Sequence, residues 1–369
     1  MKKIFYLLIP ILVMSCESDK DNTGPSSDGF DRSKVLSNSY DNIIIPAYNE
    51  FNISLINLDD RKNTFINDIN EQNLNNLRSS WIEAYKKWQA IEMFNIRKAE
   101  QINYARILNS YPCIEEKVIN NINDSISEIV SFTSSMLGAT GFPAIGYLIY
   151  GNDSSNVLIN FNGTDGLKYS AYLNALISNL VVNTDLVKSD WMTARDEFVN
   201  STANSQTSSL NMIINDFVRY FEKNVRTAKI GTPIDFYGSL QPKPDQVESY
   251  YRADICKSLL VESMQAVKIF YTGESYDGNN NGEGLEDYLN DLNNSDDLMI
   301  AISNQFDDIE EKINLLEDDF VLELNNNGRE RMEDLFLSMQ NLVTYFKVDM
   351  MSDRFGISPD YEDNDGDGG

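Results

Sequence analysis

Residues 77–91 read Leu77-Arg78-Ser79-Ser80-Trp81-Ile82-Glu83-Ala84-Tyr85-Lys86-Lys87-Trp88-Gln89-Ala90-Ile91. Leu77, Trp81, Ala84, Trp88 and Ile91 return at intervals of four, three, four and three, which places them on one stripe of an α-helix, whereas a strand would alternate. The same spacing appears in Tyr172, Leu173, Leu176, Ile177 and Leu180. It recurs in Leu259, Leu260, Met264, Val267 and Phe270, and in Met332, Leu335, Met339, Leu342 and Phe346. Each stripe predicts a helix with one buried face. Chain breakers fall between the stripes, at Tyr111-Pro112, Gly141 to Gly166, Gly231 to Pro244, Gly273 to Gly284 and Asn325 to Gly328. Long helices separated by breaks, with no competing alternation of Val, Ile and Thr, predict an all-α fold of two four-helix-type bundles packed side by side. With 42% apolar residues in 369, the chain is long enough to bury two such cores.

The N-terminus reads as an address. Lys2 and Lys3 precede an apolar run, Ile4 to Met14, too short to cross a bilayer, and Val13-Met14-Ser15-Cys16 follows the pattern of a lipoprotein signal peptide cut after a small residue. Residues 1–15 are thus expected to be the signal peptide, with Cys16 acylated into the lipid bilayer. The polar, turn-rich stretch that follows, within 16–32, is expected to be a flexible stalk. An N-terminal bundle over 33–228, a connection over 229–244, a C-terminal bundle over 245–353 and an acidic tail over 354–369 complete the expected organisation. This address implies a cell-envelope protein held at the outer membrane, facing the periplasm or the surface.

Charge narrows the partners. The formal net charge is −27, and losing residues 1–15 removes two lysines and no acid, giving −29. Such a surface repels nucleic acid and favours cations, basic partners and solubility. Three cysteines occur; with Cys16 lipidated, Cys113 and Cys256 remain, and an oxidising compartment would permit a bridge between them. The chain contains no histidine at all. A cysteine–histidine or serine–histidine pair and an HExxH zinc site are therefore impossible, and there is no P-loop or dinucleotide fingerprint.

Several segments resemble one known family in order along the chain. Trp81, Ala84, Trp88 and Glu92 resemble its early Trp-rich helix, and Asn109-Ser110-Tyr111-Pro112 its Asn-x-[Trp/Tyr]-Pro turn. Gly141-Phe142-Pro143-Ala144-Ile145-Gly146-Tyr147-Leu148-Ile149-Tyr150-Gly151 stands where the family carries GxHxxE. Lys229-Ile230-Gly231-Thr232-Pro233 resembles the connection between its halves, Val247-Glu248-Ser249-Tyr250-Tyr251 with Ser258-Leu259-Leu260 the start of its second half, and Gly284-Leu285-Glu286-Asp287-Tyr288-Leu289 a segment near its end. The tail Tyr361-Glu362-Asp363-Asn364-Asp365-Gly366-Asp367 is similar to that of its Bacteroidetes-type lipoproteins. Over residues 35–369 the chain resembles the imelysin-like envelope proteins, with a degenerate motif: Gly141 is kept, but Pro143 replaces the histidine and Gly146 the glutamate.

The resemblance implies two four-helix bundles, a site at their junction, and a link to iron or haem uptake. Its metallopeptidase activity is disfavoured by the lost motif and the absent histidine. The expected function is therefore a non-catalytic ligand- or partner-binding lipoprotein, the alternative being an adaptor for an outer-membrane transporter or another envelope protein through loops such as Gly151–Gly166, where exposed Phe161 or Tyr169 would favour it. Trp88, Glu92 and Tyr147 are the candidate junction residues; against this, Glu92 would simply pair with Arg97 or Lys98 on a solvated edge. Pro143 suits the first turn of a new helix, and Gly146 leaves either a small cavity or closer backbone packing. Iron and calcium are the cofactors to consider. Asp363, Asp365 and Asp367, and Asp277, Asn279 and Asn281, match the first positions of an EF-hand loop, but neither stretch supplies an acid at position twelve.

Overall fold

Each residue of the 77–91 stripe is 1% exposed or less; the helix that carries Leu77 to Trp88 spans Glu71–Gln89, and Ile91 follows in the turn beyond it. Asn70 opens that helix by accepting the Asn73 backbone N–H at 2.9 Å, and Lys86 and Lys87 occupy its last turn, where positive charge suits the exposed carbonyls. The computed structural model describes residues 29–129, 133–151, 154–292 and 294–361. The expected signal peptide, Cys16, the expected stalk up to residue 28 and Asp363, Asp365 and Asp367 lie outside the described residues.

Among the described residues there is no strand; a single isolated bridge joins Glu274 to Asn281. Eight helices set the frame. α1 (Ile45–Asn67) packs on α2 (Glu71–Gln89) and on the long α4 (Gly166–Thr193), with the short α3 (Gly141–Tyr150) wedged against α2 and α4. Trp88, edge-on to Tyr104 at 5.3 Å and tilted on Phe51 at 5.8 Å, lies in this first core. α5 (Ser209–Arg219) runs on as a wide-turn π-helix over Tyr220–Gly231. α6 (Cys256–Thr272), α7 (Asp296–Asn314) and α8 (Arg329–Thr344) complete a second group around Phe217, Phe270, Phe306 and Phe346. The π-helical segment packs on α8 and α6, and Phe217 of α5 meets Phe270 and Phe346 in the phenylalanine core of the second group. The two groups meet where α2 lies against α6.

All four sequence stripes are buried, and the breaks after α6 and before α8 are where the glycines predict them. The stretch from Gly141 to Gly166 is more ordered than a break: it holds α3 and a helix over Ser154–Asn162. At the start of the described chain, the Phe30 ring stacks on Tyr288 at 4.5 Å, and Tyr288 stacks on Phe355 at 4.2 Å. Arg32 donates to the Tyr288 hydroxyl at 2.7 Å. No described helix is long and apolar enough to cross a membrane.

Candidate functional site

Three features surround the junction: a closed motif segment, a buried polar network and an open cleft. The first begins at Gly141, whose φ is +75° and whose added Cβ would lie 2.1 Å from the Leu108 carbonyl oxygen, so only glycine fits. Pro143 follows in the first turn of α3, where its missing N–H leaves no helical hydrogen bond unmade. Trp81 reaches across from α2 and donates its indole N–H to the Phe142 carbonyl at 3.2 Å. Its ring lies over Gly146, where an added Cβ would come within 3.0 Å of Cζ2. The void among Trp81, Pro143, Gly146 and residues 247–251 is about 10 Å³, at the lower limit for one water. Of the two outcomes left open for Gly146, close packing is the one realised.

The second feature is a network centred on Lys229 and Glu248. Lys229 Nζ lies 2.5 Å from Glu248 Oε2 and donates to Gln89 Oε1 at 2.9 Å; both charged side chains are 3% exposed. The other Glu248 oxygen accepts from Asn109 Nδ2 at 2.8 Å and Gln89 Nε2 at 3.1 Å. Ser263 donates to Gln89 Oε1 at 2.8 Å, and Tyr85 donates to Asn109 Oδ1 at 2.6 Å. One ion pair thus ties α2, the π-helical segment and α6 together, with its polar atoms matched as burial demands.

The third feature is a cleft of about 320 Å³ beside this network, lined by Glu92, Asn95, Arg106, Asp216, Arg219 and Asn224 among others. Asp216 is buried, pairs with Arg219 at 2.5 Å and accepts the Asn95 backbone N–H. Burial pushes its carboxyl up to about 6 against the pull of Arg219. Glu92, 6% exposed, accepts Asn224 Nδ2 on Oε1 at 3.0 Å, while its Oε2 is buried without a hydrogen-bond partner. Asn95 Oδ1 is likewise buried and unmatched. Burial raises the Glu92 carboxyl to about 7, with Lys229 opposing and Glu248 adding to the rise. The expected surface pairing of Glu92 does not form: Arg97 turns instead to Asp190 at 2.9 Å and Glu197 at 3.2 Å.

The family model described as imelysin matches residues 44–343. The chain belongs to the imelysin family. Among solved structures it is similar to one from Parabacteroides distasonis named as an iron-regulated protein A precursor, with a TM-score of 0.68, 17% identity, and coverage of 88% of this chain and 97% of that one. An imelysin-like protein from Psychrobacter arcticum gives a TM-score of 0.69 at 16% identity, covering 89% of this chain and 97% of that one. At these identities the likeness concerns the fold. No curated protein matches the chain.

Within this imelysin frame, the three candidate junction residues do not form one site. Only Glu92 lines the cleft. Trp88 belongs to the first core, and Tyr147 packs against Tyr251 at 5.1 Å beside a separate hollow of about 140 Å³ next to Asn156 and Tyr169. The position of the imelysin-type histidine, Pro143, and that of the glutamate, Gly146, lie on the Trp81 side of α2 rather than on the cleft. Among the described residues, no three His, Cys, Asp or Glu side chains are grouped to hold a metal.

Asp277, Asn279 and Asn281 stand in the connection between α6 and the next helix. The Asp277 carboxylate accepts Ser275 Oγ at 2.7 Å, the Asn279 backbone N–H at 3.0 Å and Asn279 Nδ2 at 3.0 Å, which holds its pKa down at about 2. Its oxygens thus organise the turn itself. Cys113 and Cys256 are both free thiols. Asn95, Arg106, Asp216, Arg219 and Asn224 were not singled out from sequence; each is a polar residue in a helix or turn with no motif around it. Lys229 and Glu248 entered only as parts of resembling segments.

Proposed function

We propose that this imelysin-family chain is a non-catalytic envelope protein, lipid-anchored through Cys16 at the outer membrane, that engages a ligand or partner at the junction cleft in the service of iron or haem uptake. The observation that carries this reading is the contrast between the motif segment and the cleft. Where the family motif has its polar pair, Trp81 fills the space over Gly146; beyond the C-terminal end of α2, a polar cleft opens beside a buried carboxylate with an unmatched oxygen. The absence of histidine argues against imelysin-type peptidase chemistry. The link to iron follows the name of the Parabacteroides structure and is an analogy of fold.

The adaptor alternative draws on rings exposed in the 151–166 region. Phe161 is 2% exposed, packed on Phe65 at 5.0 Å and on Tyr169 at 5.7 Å, so that ring presents no surface to a partner. Tyr169 is only half-buried and stays available to such a partner; the ligand reading is preferred for the buried Glu92 carboxylate that lines the cleft. A deletion strain grown under iron limitation, with haem or ferric citrate as the iron source, tests the proposal. Impaired growth restored by the intact gene, but not by one encoding Cys16→Ala or Glu92→Ala, is the expected result. Unimpaired growth on both sources would overturn the assignment to iron uptake.

A further inference from the structure

The junction cleft has a charge pattern that selects a ligand class. Asp216 and Arg219 neutralise one another. Glu92 sits with Oε2 buried and unmatched, and Asn95 Oδ1 is a second acceptor in the same state. Both require a donor, since a buried acceptor without one costs on the order of 1–3 kcal/mol. Glu100, at the exposed edge of the same cleft, adds a further negative charge, and Arg106 is an exposed guanidinium there with no ion pair to a described residue. The cleft therefore offers two carboxyl positions, of which Glu92, raised by burial to about 7, takes its charge when a cation meets it, and one basic position, none of them in an ion pair with a described residue.

We propose that the cleft binds a small basic zwitterion, an amino acid of the lysine or ornithine class or a dipeptide containing one. One ammonium group meets Glu92 and Asn95, the carboxylate meets Arg106, and the second ammonium faces Glu100. Oxygen acceptors and a guanidinium lining one cleft suit an organic ion that carries an ammonium group on a flexible arm and, at its other end, an ammonium and a carboxylate. A bare metal ion would gain nothing from Arg106 and finds no third acidic ligand free of an arginine. This assignment rests on the reading of the cleft as a binding site and specifies its occupant.

The test is calorimetric titration of the chain starting at Glu17 with L-lysine, L-lysylglycine, L-norleucine, which lacks the second ammonium, and cadaverine, which lacks the carboxylate. Saturable one-to-one binding of L-lysine or lysylglycine is expected, whichever of the two is tighter identifying the free amino acid or the peptide. Norleucine and cadaverine should each bind at least about tenfold more weakly, and so should the best ligand to Glu92→Gln and to Arg106→Ala. Arg106 is on the surface, so that variant keeps the question open to test even where Glu92→Gln alters folding. Cadaverine binding as tightly as lysine, or affinity indifferent to Arg106→Ala, would overturn the proposal. Glu92-dependent binding of haem or ferric citrate, with no binding of the four amines, would overturn it while leaving the cleft a binding site. Silence with every ligand would remove both.

Discussion

Trp81 and Gly146 interlock across the α2–α3 contact: the indole ring occupies the space that a side chain at 146 would enter, with Cζ2 3.0 Å from the position of an added Cβ. A glutamate there has to displace a ring that is 1% exposed and hydrogen-bonded through its indole N–H. Gly146→Glu is expected to cost about 2 kcal/mol or more, from overpacking and from burying a carboxylate. Urea denaturation measures it. In a double-mutant cycle with Trp81→Ala, the two changes should be strongly non-additive; additivity would show that the ring does not set the limit.

Lys229 and Glu248 share a junction with almost no access to water. Removing one partner leaves a buried charge, so Lys229→Met should destabilise by about 3–5 kcal/mol. Neutralising the other side as well, in Lys229→Met with Glu248→Gln, should recover at least about 1 kcal/mol of that loss. A double variant no more stable than the single one would mean that the charge left on Glu248 is not what destabilises the single variant.

Glu92 makes stability depend on pH in a defined direction. Its carboxyl rises from 4.5 in the unfolded chain to about 7 on folding, so the folded state keeps a proton that the unfolded chain has lost. The associated stability is complete below about pH 4.5 and disappears as the pH climbs through about 7. By pH 8 the difference amounts to roughly 3 kcal/mol. Glu92→Gln should therefore gain on the wild type by about that amount between pH 4.5 and pH 8. Asp216, raised to about 6, titrates in the same range in both proteins and cancels from the comparison. Parallel stability curves for the two proteins would contradict this environment for Glu92.

Burial pushes the thiols of Cys113 and Cys256 up to about 12, which leaves little thiolate at pH 8. In the form starting at Glu17 these are the only cysteines. Both should react with Ellman's reagent at least about tenfold more slowly than a free thiol while the protein is folded, and both should react fully in denaturant. Rapid labelling of the native protein, or a mass lower by two hydrogens, would refute a half-buried free thiol at Cys113 and a buried one at Cys256.

The helices were legible because their apolar residues repeat with the pitch of the helix itself, a property each segment carries alone. Leu77 to Ile91 needs no knowledge of α6 to declare its buried face. The cleft is of another kind: Glu92, Arg106 and Arg219 come from stretches up to more than a hundred residues apart, and charges on separate helices leave no periodic trace. Glu92 was found through its place after Trp88, yet its neighbours could not be, and the expected partner Arg97 was already engaged elsewhere. Tyr147 does meet the second half, on Tyr251, but beside a hollow separate from the cleft, because the turn of α3 aims it there. The π-helical turn of Tyr220–Gly231, which rotates Asn224 and Lys229 relative to a regular helix, has no signature in the local residue pattern.

The stack of Phe30, Tyr288 and Phe355 joins the first described residues of the chain to its last part, with Arg32 fastened to the same tyrosine. Mechanically, this is a clasp. It gathers the leading end, the helix bearing Tyr288 and the segment bearing Phe355 at one point, so three stretches far apart in the sequence are fastened together there.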